Sequence, residues 1–202
     1  MDPQSGLEAS FRQLAWQYNG KTVFSYTPYV FGIMCDDMGY PDQFFMMRTD
    51  AEYMRMALRL AEKASSLGEV PVGAVAVWDG HVAGVGFNRR ETGKNALAHA
   101  ELEAIDAACR KLGGWRLHRC DLYVTLEPCP MCAGAIINAR IRRVIFGARD
   151  PKAGCFGSVC NFTEFPFNHK PEIITGVLEE ECTRILKDFF HRLREQQKKR
   201  QT

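Results

Sequence analysis

Long hydrophobic runs are missing from this 202-residue sequence. Its first residues, MDPQSG, have no basic stretch of the kind that opens a signal peptide. The most apolar early segment, Val23 to Cys35, is broken by Ser25, Tyr26 and Pro28, so it does not predict a membrane span. Internal repeats and low-complexity tracts are also absent. We therefore expect a cytoplasmic protein without membrane association, whose eight cysteines stay reduced and can ligate metal.

Charge is scarce at the start of the chain and concentrated at its end. Residues 1–48 hold three basic and five acidic side chains, whereas residues 49–202 hold 23 basic and 19 acidic ones. The last twenty residues alone contain seven lysines or arginines and two acids. This tail suits a polyanionic partner such as nucleic acid, although an exposed helix end has the same composition.

The first 48 residues differ from the rest of the chain in pattern as well as in charge. They contain ten of the 22 aromatic residues but show neither helical nor strand periodicity. At Thr49 to Glu52, the sequence TDAE matches a capping box, which is typical of a helix start. We therefore expect an N-terminal extension of unknown structure at residues 1–48 and a single domain at residues 49–202.

Helices and strands alternate through the expected domain. Periodicity predicts helices near residues 50–67, 98–112, 131–139 and 178–197, and strands at 72–78, 81–87, 122–126, 143–147 and 173–177. The loop of about 25 residues before the last strand is long enough for a parallel crossover. This order predicts an α/β fold, a three-layer α/β/α sandwich around a roughly five-stranded mixed sheet. In the last helix one apolar stripe is expected to face the core, formed by Leu178, Cys182, Ile185, Leu186, Phe189 and Leu193.

Two short motifs carry side chains that ligate metal. Cys129 and Cys132 lie in TLEPCPMCAGA, and His99 lies thirty residues earlier in AHAE, two positions before Glu101. A CxxC pair alone is weak evidence for metal binding in a chain with eight cysteines. Each motif opens a predicted helix, however, and residues two apart can share a site in the first helical turn. The spacing therefore favours one joint site.

That site has the composition of a catalytic zinc centre. Three ligands, His99, Cys129 and Cys132, leave the fourth tetrahedral position open, which distinguishes catalytic from structural zinc sites. Glu101 is then a carboxylate that transfers protons during hydrolytic deamination of an amino-bearing ring, although a capping or surface glutamate is the alternative. A fourth ligand would close the site, but no candidate has convincing spacing: these are His118, Cys120, Cys155, Cys160 and His169.

From about Thr49 to its end, the sequence resembles the bacterial tRNA-specific adenosine deaminases of the cytidine-deaminase-like superfamily. HAE with PCxMC is common to the superfamily, whereas TLEPCPMCAGA with FGARDPKAG is much narrower. Two features depart from the family pattern: Cys155 stands where alanine is usual, and SVCNFTEFPF at residues 158–167 differs. The matching stretches are EVPVGAVAV (69–77), GFNR (86–89), AHAE (98–101), LYVTLEPCPMCAGA (122–135), RVIFGARDPKAG (143–154) and NHKPEI (168–173).

The resemblance implies one Zn²⁺ per chain, Glu101 as the proton shuttle and Asn88 in contact with a flipped adenosine. It further implies a homodimer that binds the tRNA anticodon stem-loop and forms inosine at the wobble position. For Asn88 the structural alternative is an asparagine in a left-handed loop conformation. Further candidate RNA contacts lie in the loop after the fourth strand, where solvated loop charges are the alternative, and in the basic tail: Asp150, Lys152, Phe190, Arg192 and Arg194.

Two other functions fit the same motifs. A deaminase of a free base or nucleoside, of the guanine or cytosine type, would use identical ligands and chemistry. A catalytically silent, zinc-organised RNA-binding module would keep the fold without the reaction. The narrow motif match and the basic tail favour tRNA over a free base, and the intact Glu101 speaks against a silent module.

Overall fold

A computed structural model describes residues 15–18, 21–24 and 48–201. The chain divides into two units, residues 1–46 and residues 47–202. In the first unit, β1 (Ala15–Tyr18) and β2 (Lys21–Phe24) pair in an antiparallel sheet, which the sequence did not predict. The remainder of the expected extension lies outside the described residues.

Between residues 48 and 201 the chain forms four α-helices and one five-stranded sheet. The helices are α1 (Asp50–Ser66), α2 (Ala100–Leu112), α3 (Pro130–Ala139) and α4 (Glu179–Gln201). The strands are β3 (Gly73–Trp78), β4 (His81–Phe87), β5 (Cys120–Leu126), β6 (Arg143–Ala148) and β7 (Glu172–Thr175). A short 3₁₀ helix, Phe162–Glu164, lies in the connection from β6 to β7. In this described part no helix is long and apolar enough to cross a membrane.

The sheet is mixed, with the order β4-β3-β5-β6-β7. β3 pairs antiparallel with both β4 and β5, whereas β5, β6 and β7 are parallel. The predicted five-stranded mixed sheet and its parallel crossover are thereby confirmed. Because β4, β5 and β6 point in one direction, the loops that follow them leave the same edge of the sheet. Asn88, Cys129 and Asp150 belong to these three loops, and this common edge carries the candidate site.

Helices cover both faces of the sheet and complete the predicted three-layer sandwich. Ala74 and Val124 point to the face covered by α2 and α3. Val75 and Tyr123, their neighbours along the strands, point to the face covered by α1 and α4. The central strands are therefore buried on both sides, which explains their almost continuous apolar sequence.

The predicted capping box starts α1. The amide of Glu52 donates to Thr49 Oγ1 at 3.3 Å, and the amide of Thr49 donates to Glu52 Oε2 at 2.7 Å. Asp50, the first helical residue, accepts from the Tyr123 hydroxyl at 2.7 Å and pairs with Arg143 at 3.0 Å. Local capping therefore sets where α1 begins, and two contacts from the sheet hold that end in place.

Several boundaries differ from the sequence prediction. α2 begins at Ala100 instead of residue 98, because His99 has extended backbone angles and acts as the N-cap. β7 ends at Thr175 instead of residue 177, since Gly176 and Leu178 both adopt positive φ and turn the chain into α4. Leu193 is 38% exposed, so the apolar stripe of α4 ends before it.

A glycine in β4 lets the start of α2 lie directly on the sheet. A Cβ atom at Gly86 would lie 2.6 Å from Glu103 Cβ and 2.7 Å from Ala104 N, and it would also overlap Ala100 O. Only a residue without a side chain tolerates this approach. Gly86 therefore determines how close the first turn of α2, which carries His99 and Glu101, comes to the sheet.

Candidate active site

Two helix N-termini face each other at the common edge of the sheet. His99 is the N-cap of α2, and Cys129 is the N-cap of α3, with Pro130 at the first helical position and Cys132 two residues further on. Neither N-cap side chain bonds its own helix. Both side chains are therefore available to each other, and the free amides of two helix starts favour negative charge between them.

The three predicted ligand residues form one cluster. Cys129 Sγ lies 3.7 Å and Cys132 Sγ lies 3.5 Å from His99 Nδ1, and all three ligand atoms are within 4.8 Å of one another. Ordinary Zn–S and Zn–N bonds at a tetrahedral angle would separate sulfur from nitrogen by about 3.6 Å. The donor set and its spacing therefore fit a zinc ion. It is the one such group of three among the described residues, and none of the other histidines and cysteines considered above belongs to it.

The two thiols have opposite proton affinities. Cys129 Sγ accepts hydrogen bonds from the Cys132 thiol and from His99. These two bonds lower the pKa of Cys129 to about 4, although partial burial acts in the opposite direction. The same contact and burial raise the pKa of Cys132. The contact with Cys129 raises the pKa of His99. Cys129 is therefore a thiolate at neutral pH, and the thiolate is the form of cysteine that ligates metal.

Glu101 lies beside this cluster in an apolar setting. It is the second residue of α2 and is only 4% exposed. Burial raises its pKa to about 7, although its own backbone amide acts in the opposite direction. A carboxyl group with such a pKa accepts and releases protons near neutrality, which is the requirement for a general acid and base. A solvated capping glutamate would have neither this burial nor this pKa.

The cluster opens into a pocket of about 270 Å³. This volume lies slightly below the roughly 300–1,000 Å³ of most ligand pockets and suits a single base better than a larger ligand. The residues that form its walls come from the start of α2, the segment before β3, the loops after β4 and β6, and the end of β5 with the turn that follows it. They are Glu69, Val70, Val72, Asn88, Arg90, Glu91, His99, Ala100, Glu101, Leu126, Glu127, Cys129, Asp150 and Ala153.

A buried carboxylate shapes the wall that contains Asn88. Glu69 accepts from the amides of Thr92 at 2.6 Å and Glu91 at 3.2 Å, and from Asn88 Nδ2 at 3.5 Å. Asn88 Nδ2 also donates to the Val70 carbonyl at 3.3 Å. Burial alone would raise the pKa of Glu69, but the hydrogen bonds from Thr92 and Glu91, with the charge of Arg90, outweigh it and lower the pKa. Glu69 therefore holds the loop after β4 as an anion.

Glu127 has the same relation to the loop after β6. Its carboxylate accepts from the amides of Asp150, Phe156 and Ser158 and from the Ser158 hydroxyl. Burial raises the pKa of Glu127, and the hydrogen bonds from Ser158 and the loop amides more than compensate, so that the pKa is lowered. The pocket is thus bounded on two sides by loops that are fastened to buried anions.

Of the remaining predicted RNA contacts, Asp150 alone lines this pocket. Asp150 lines it, and Asp150 Oδ1 accepts from the amide of Lys152 at 2.9 Å, whereas the exposed Lys152 side chain does not line it. Phe190, 40% exposed, packs edge-on against Phe189 on α4. Arg192 donates to Ser65 Oγ at 3.1 Å. Neither they nor Arg194 line the pocket.

Sequence reasoning overlooked Glu69, Glu127 and Arg90, which also line the pocket. Glu127 follows an apolar strand directly and precedes Pro128, and Glu69 precedes the next apolar stretch, VPVGAVAV. A charged residue next to a buried strand is a signal for a paired or functional group. That signal was present in the sequence, but the bonding partners lie at least nineteen residues away.

Comparison with known proteins places the chain in a family. Residues 48–194 match the MafB19-like deaminase family. The tRNA-specific adenosine deaminase of Bacillus subtilis (strain 168) is 51% identical over 153 residues, covering 75% of this chain and 95% of the relative. The enzyme of the same description from Haemophilus influenzae (strain ATCC 51907 / DSM 11121 / KW20 / Rd) is 46% identical, covering 74% and 87%.

A solved structure from a study of A-to-I editing by tRNA:A34 deaminases at the wobble position of transfer RNA has the same fold. It superimposes with a TM-score of 0.65 at 46% identity, covering 67% of this chain and 99% of its own. The family suggested by the motifs is therefore confirmed by identity over nearly the whole length of the relatives. The chain belongs to the MafB19-like deaminase family and groups with the tRNA-specific adenosine deaminases.

Proposed function

We propose that this protein converts adenosine to inosine by hydrolytic deamination at the wobble position of a tRNA anticodon. The observation that carries the proposal is the buried Glu101 beside the His99, Cys129 and Cys132 cluster, inside a pocket of single-base size. Relatives named tRNA-specific adenosine deaminase, at 46–51% identity, support the choice of substrate.

The cluster would hold one zinc ion per chain through His99 Nδ1 and the two cysteine sulfurs. The separations of 3.5 and 3.7 Å between His99 Nδ1 and the two sulfurs support this assignment. When bound, such an ion supplies a Lewis acid that lowers the pKa of water at its open fourth position. The two helix N-termini favour the negative charge that two thiolates bring to the site.

Glu101 performs the proton transfers. It accepts the two protons of the attacking water in turn, delivering the first to the ring nitrogen and the second, released from the oxygen now bonded to the base, to the departing amine. The water oxygen becomes bonded to C6 of the base, the C6–amine bond breaks, and ammonia leaves. A carboxyl group with a pKa of about 7 can take both roles at neutral pH. One proton stays on the ring nitrogen of inosine and the other leaves with ammonia, so that Glu101 is regenerated as a carboxylate.

Asn88 orients the base within the pocket. Its side-chain Nδ2 donates to the Val70 carbonyl, and its backbone amide donates to the Val72 carbonyl at 2.9 Å. The side chain is therefore held in place before substrate arrives, which limits the entropy lost on binding. Because the pocket has room for about a single base, the adenosine must leave the stacked anticodon loop to enter it.

The RNA around the flipped base would contact the pocket rim and the basic tail. Asp150 and Lys152 lie in the loop at the rim, and Phe190 presents part of its ring to solvent, where a base can stack on it. Arg192 and Arg194, on the same helix, supply positive charge for phosphates. These contacts would fix the register of the stem-loop, whereas the chemistry remains with Glu101 and the ligand cluster.

We further propose that the enzyme works as a homodimer in the cytoplasm and that residues 49–202 form its deaminase domain. The seven cysteines in the described part of the chain are all free, which fits a reducing compartment. The dimer follows from the family resemblance. Sedimentation equilibrium between 1 and 100 μM would measure it directly, and a constant mass of one chain over that range would contradict it.

Substrate choice is tested with matched ligands. The purified, zinc-loaded protein is incubated with an anticodon stem-loop carrying adenosine at the wobble position, with the same stem-loop carrying adenosine one position away, and with free adenosine, cytidine and guanine. We expect inosine from the first substrate alone. Deamination of free bases or nucleosides without activity on the stem-loop would establish the free-base alternative, and no ammonia from any substrate would establish the silent binding module.

The role of Glu101 is tested by Glu101→Gln. The variant should keep about one zinc ion per chain while turnover falls by about 10²-fold to 10⁴-fold, because proton transfer is lost and the ligands remain. Cys129→Ala should lose zinc, while Cys182→Ala, a buried cysteine outside the cluster, should retain it. Loss of zinc from Glu101→Gln, or full activity in that variant, would show that the assignment is wrong.

A further inference from the structure

Glu127 is a buried carboxylate whose hydrogen-bond donors all come from one loop. It is 2% exposed, yet its two oxygens accept four hydrogen bonds. Oε1 accepts from the amides of Phe156 at 3.0 Å and Ser158 at 3.1 Å, while Oε2 accepts from the amide of Asp150 at 3.2 Å and from the Ser158 hydroxyl. All four donors belong to one loop, residues 150–158.

The loop is also joined to the turn that carries the ligand cysteines. The Cys155 amide donates to the Pro128 carbonyl at 3.0 Å, and the Glu127 amide donates to the Ala148 carbonyl at 2.8 Å. Glu127 and Pro128 are the two residues directly before Cys129. The loop after β6 and the ligand turn after β5 are therefore fastened together at the edge of the pocket.

The same loop depends on close contact with the carboxylate. A Cβ atom at Gly154 would lie 2.5 Å from Glu127 Oε2 and would overlap its carboxyl carbon, so only glycine allows the chain to pass there. Asp150 and Ala153, which precede Gly154, line the pocket. Between residues 149 and 160 the loop forms neither helix nor strand. The loop makes a few backbone hydrogen bonds within itself, including an isolated bridge between Phe156 and Asn161, and the carboxylate adds four more that tie it to the ligand turn.

We propose that Glu127 is a positioning residue for deamination, holding the loop of residues 150–158 against the ligand turn so that Asp150 and Ala153 form the wall that receives the base. This inference rests on the proposed function, because the wall matters only if a base enters the pocket. Glu127 acts through the loop and leaves the proton transfers to Glu101.

An amide in place of the carboxylate would break the loop at a defined point. Glutamine has one acceptor oxygen and one NH₂ donor. If its oxygen stays with the amides of Phe156 and Ser158, the NH₂ group faces the Asp150 amide, and two donors oppose each other. The Ser158 hydroxyl can rotate and accept from the NH₂ group, whereas the Asp150 amide has no such choice. Glu127→Gln should therefore release the Asp150 end of the loop first.

The test compares Glu127→Gln with Asp121→Asn. Asp121 is likewise a buried carboxylate, lies near the opposite end of the same strand, and accepts from Arg142 and Arg143 at 2.9–3.0 Å, but it does not line the pocket. Both variants should be less stable than the parent chain. Only Glu127→Gln should raise KM for the stem-loop, by about tenfold or more, since hydrogen bonds to a charged group are lost. Zinc content should stay near one per chain in both.

Hydrogen exchange supplies a readout that does not require activity. The amides of Asp150, Phe156 and Ser158 should exchange faster in zinc-loaded Glu127→Gln than in zinc-loaded Asp121→Asn. If Glu127→Gln is too unstable to purify, Ser158→Ala removes one of the two donors to Oε2 and should raise KM by about threefold.

Equal KM values and equal exchange of the loop amides in the two carboxylate variants would overturn the proposal. The same holds if Glu127→Gln loses its zinc, because the residue would then support the ligands and not the loop. A parent enzyme that forms no inosine would contradict the proposed function instead, and the exchange rates would still decide whether Glu127 holds the loop.

Discussion

Replacing Gly86 by alanine should disturb the active site from the opposite side of a helix. The new Cβ atom would lie 2.6 Å from Glu103 Cβ and 2.7 Å from Ala104 N, and it would overlap Ala100 O. Two of these three atoms belong to the helix backbone, which cannot move by a rotamer change. The first turn of α2 must therefore shift away from β4, and it takes His99 and Glu101 with it.

The expected cost follows from these contacts. Overpacking a buried site by one methyl group typically destabilises a protein by about 1–3 kcal/mol, and contacts with backbone atoms place Gly86→Ala in the upper part of that range. A displacement of about 1 Å at a reacting group can lower turnover about 100-fold. We therefore expect Gly86→Ala to lose about 2–3 kcal/mol in the free energy of unfolding and to lose up to about 100-fold in turnover.

Two other glycines provide matched controls. Gly134 lies inside α3, where a Cβ atom would meet nothing within 4 Å. Gly134→Ala should therefore stabilise the protein by about 0.5–1 kcal/mol and leave activity unchanged. Gly84 faces the next turn of α2, with Ala108 N at 2.6 Å from the hypothetical Cβ. Gly84→Ala should cost similar stability but less activity, because the first turn is spared.

Urea unfolding of the zinc-loaded proteins, followed by circular dichroism, gives the stability differences, and inosine formation from the stem-loop gives turnover. Zinc content is measured on the same samples. If Gly86→Ala unfolds at the same urea concentration as the parent chain, the close approach of α2 to β4 is not a constraint. If it loses stability without losing more activity than Gly84→Ala, the helix start does not control the site.

Three further predictions concern other parts of the chain. A chain that begins at Met47 should fold, bind zinc and deaminate the stem-loop within about twofold of the full chain, since the helix-start signal at Thr49 is complete; a large fall in melting temperature or activity would show that residues 1–46 support the domain. Removing residues 192–202 should raise KM for the stem-loop and reduce the slope of log K against log salt by about 0.7–0.9 for each lost phosphate contact, with turnover at saturating RNA unchanged; an unchanged KM and slope would exclude the tail from RNA binding. Glu69→Gln should destabilise the protein by an amount that is constant at neutral pH and shrinks below about pH 4.5. Burial raises the pKa of Glu69, but hydrogen bonds from Thr92 and Glu91 lower it by more. The stabilising effect of the carboxylate is therefore present above its unfolded pKa and is lost as the pH falls through its folded pKa. Unfolding free energies measured from pH 3 to pH 8 that differ by a constant amount would contradict this reasoning.

Local sequence signals were sufficient for the fold class. The capping box at Thr49 and Glu52 is a contact between residues three apart, so it could be read directly and is present in the structure. Short, almost continuous apolar runs predicted the strands, because helices bury both faces of the sheet. Boundaries were less certain. β7 ends early because Gly176 and Leu178 turn the chain, and for Leu178 nothing in its residue type indicates a positive φ.

The sequence by itself also determined which side chains can bind metal and transfer protons. His99 with Glu101, and Cys129 with Cys132, are pairs within single helical turns, so their chemistry is encoded locally. Tertiary structure decided that the two pairs meet, with His99 Nδ1 3.5 Å from Cys132 Sγ. This meeting requires α2 and α3 to start at the same edge of the sheet. It also decided that Glu69 and Glu127 are buried anions. Their donors come from loops at least nineteen residues away that have no periodic pattern, and a carboxylate is stable inside a protein only where such distant donors converge on it.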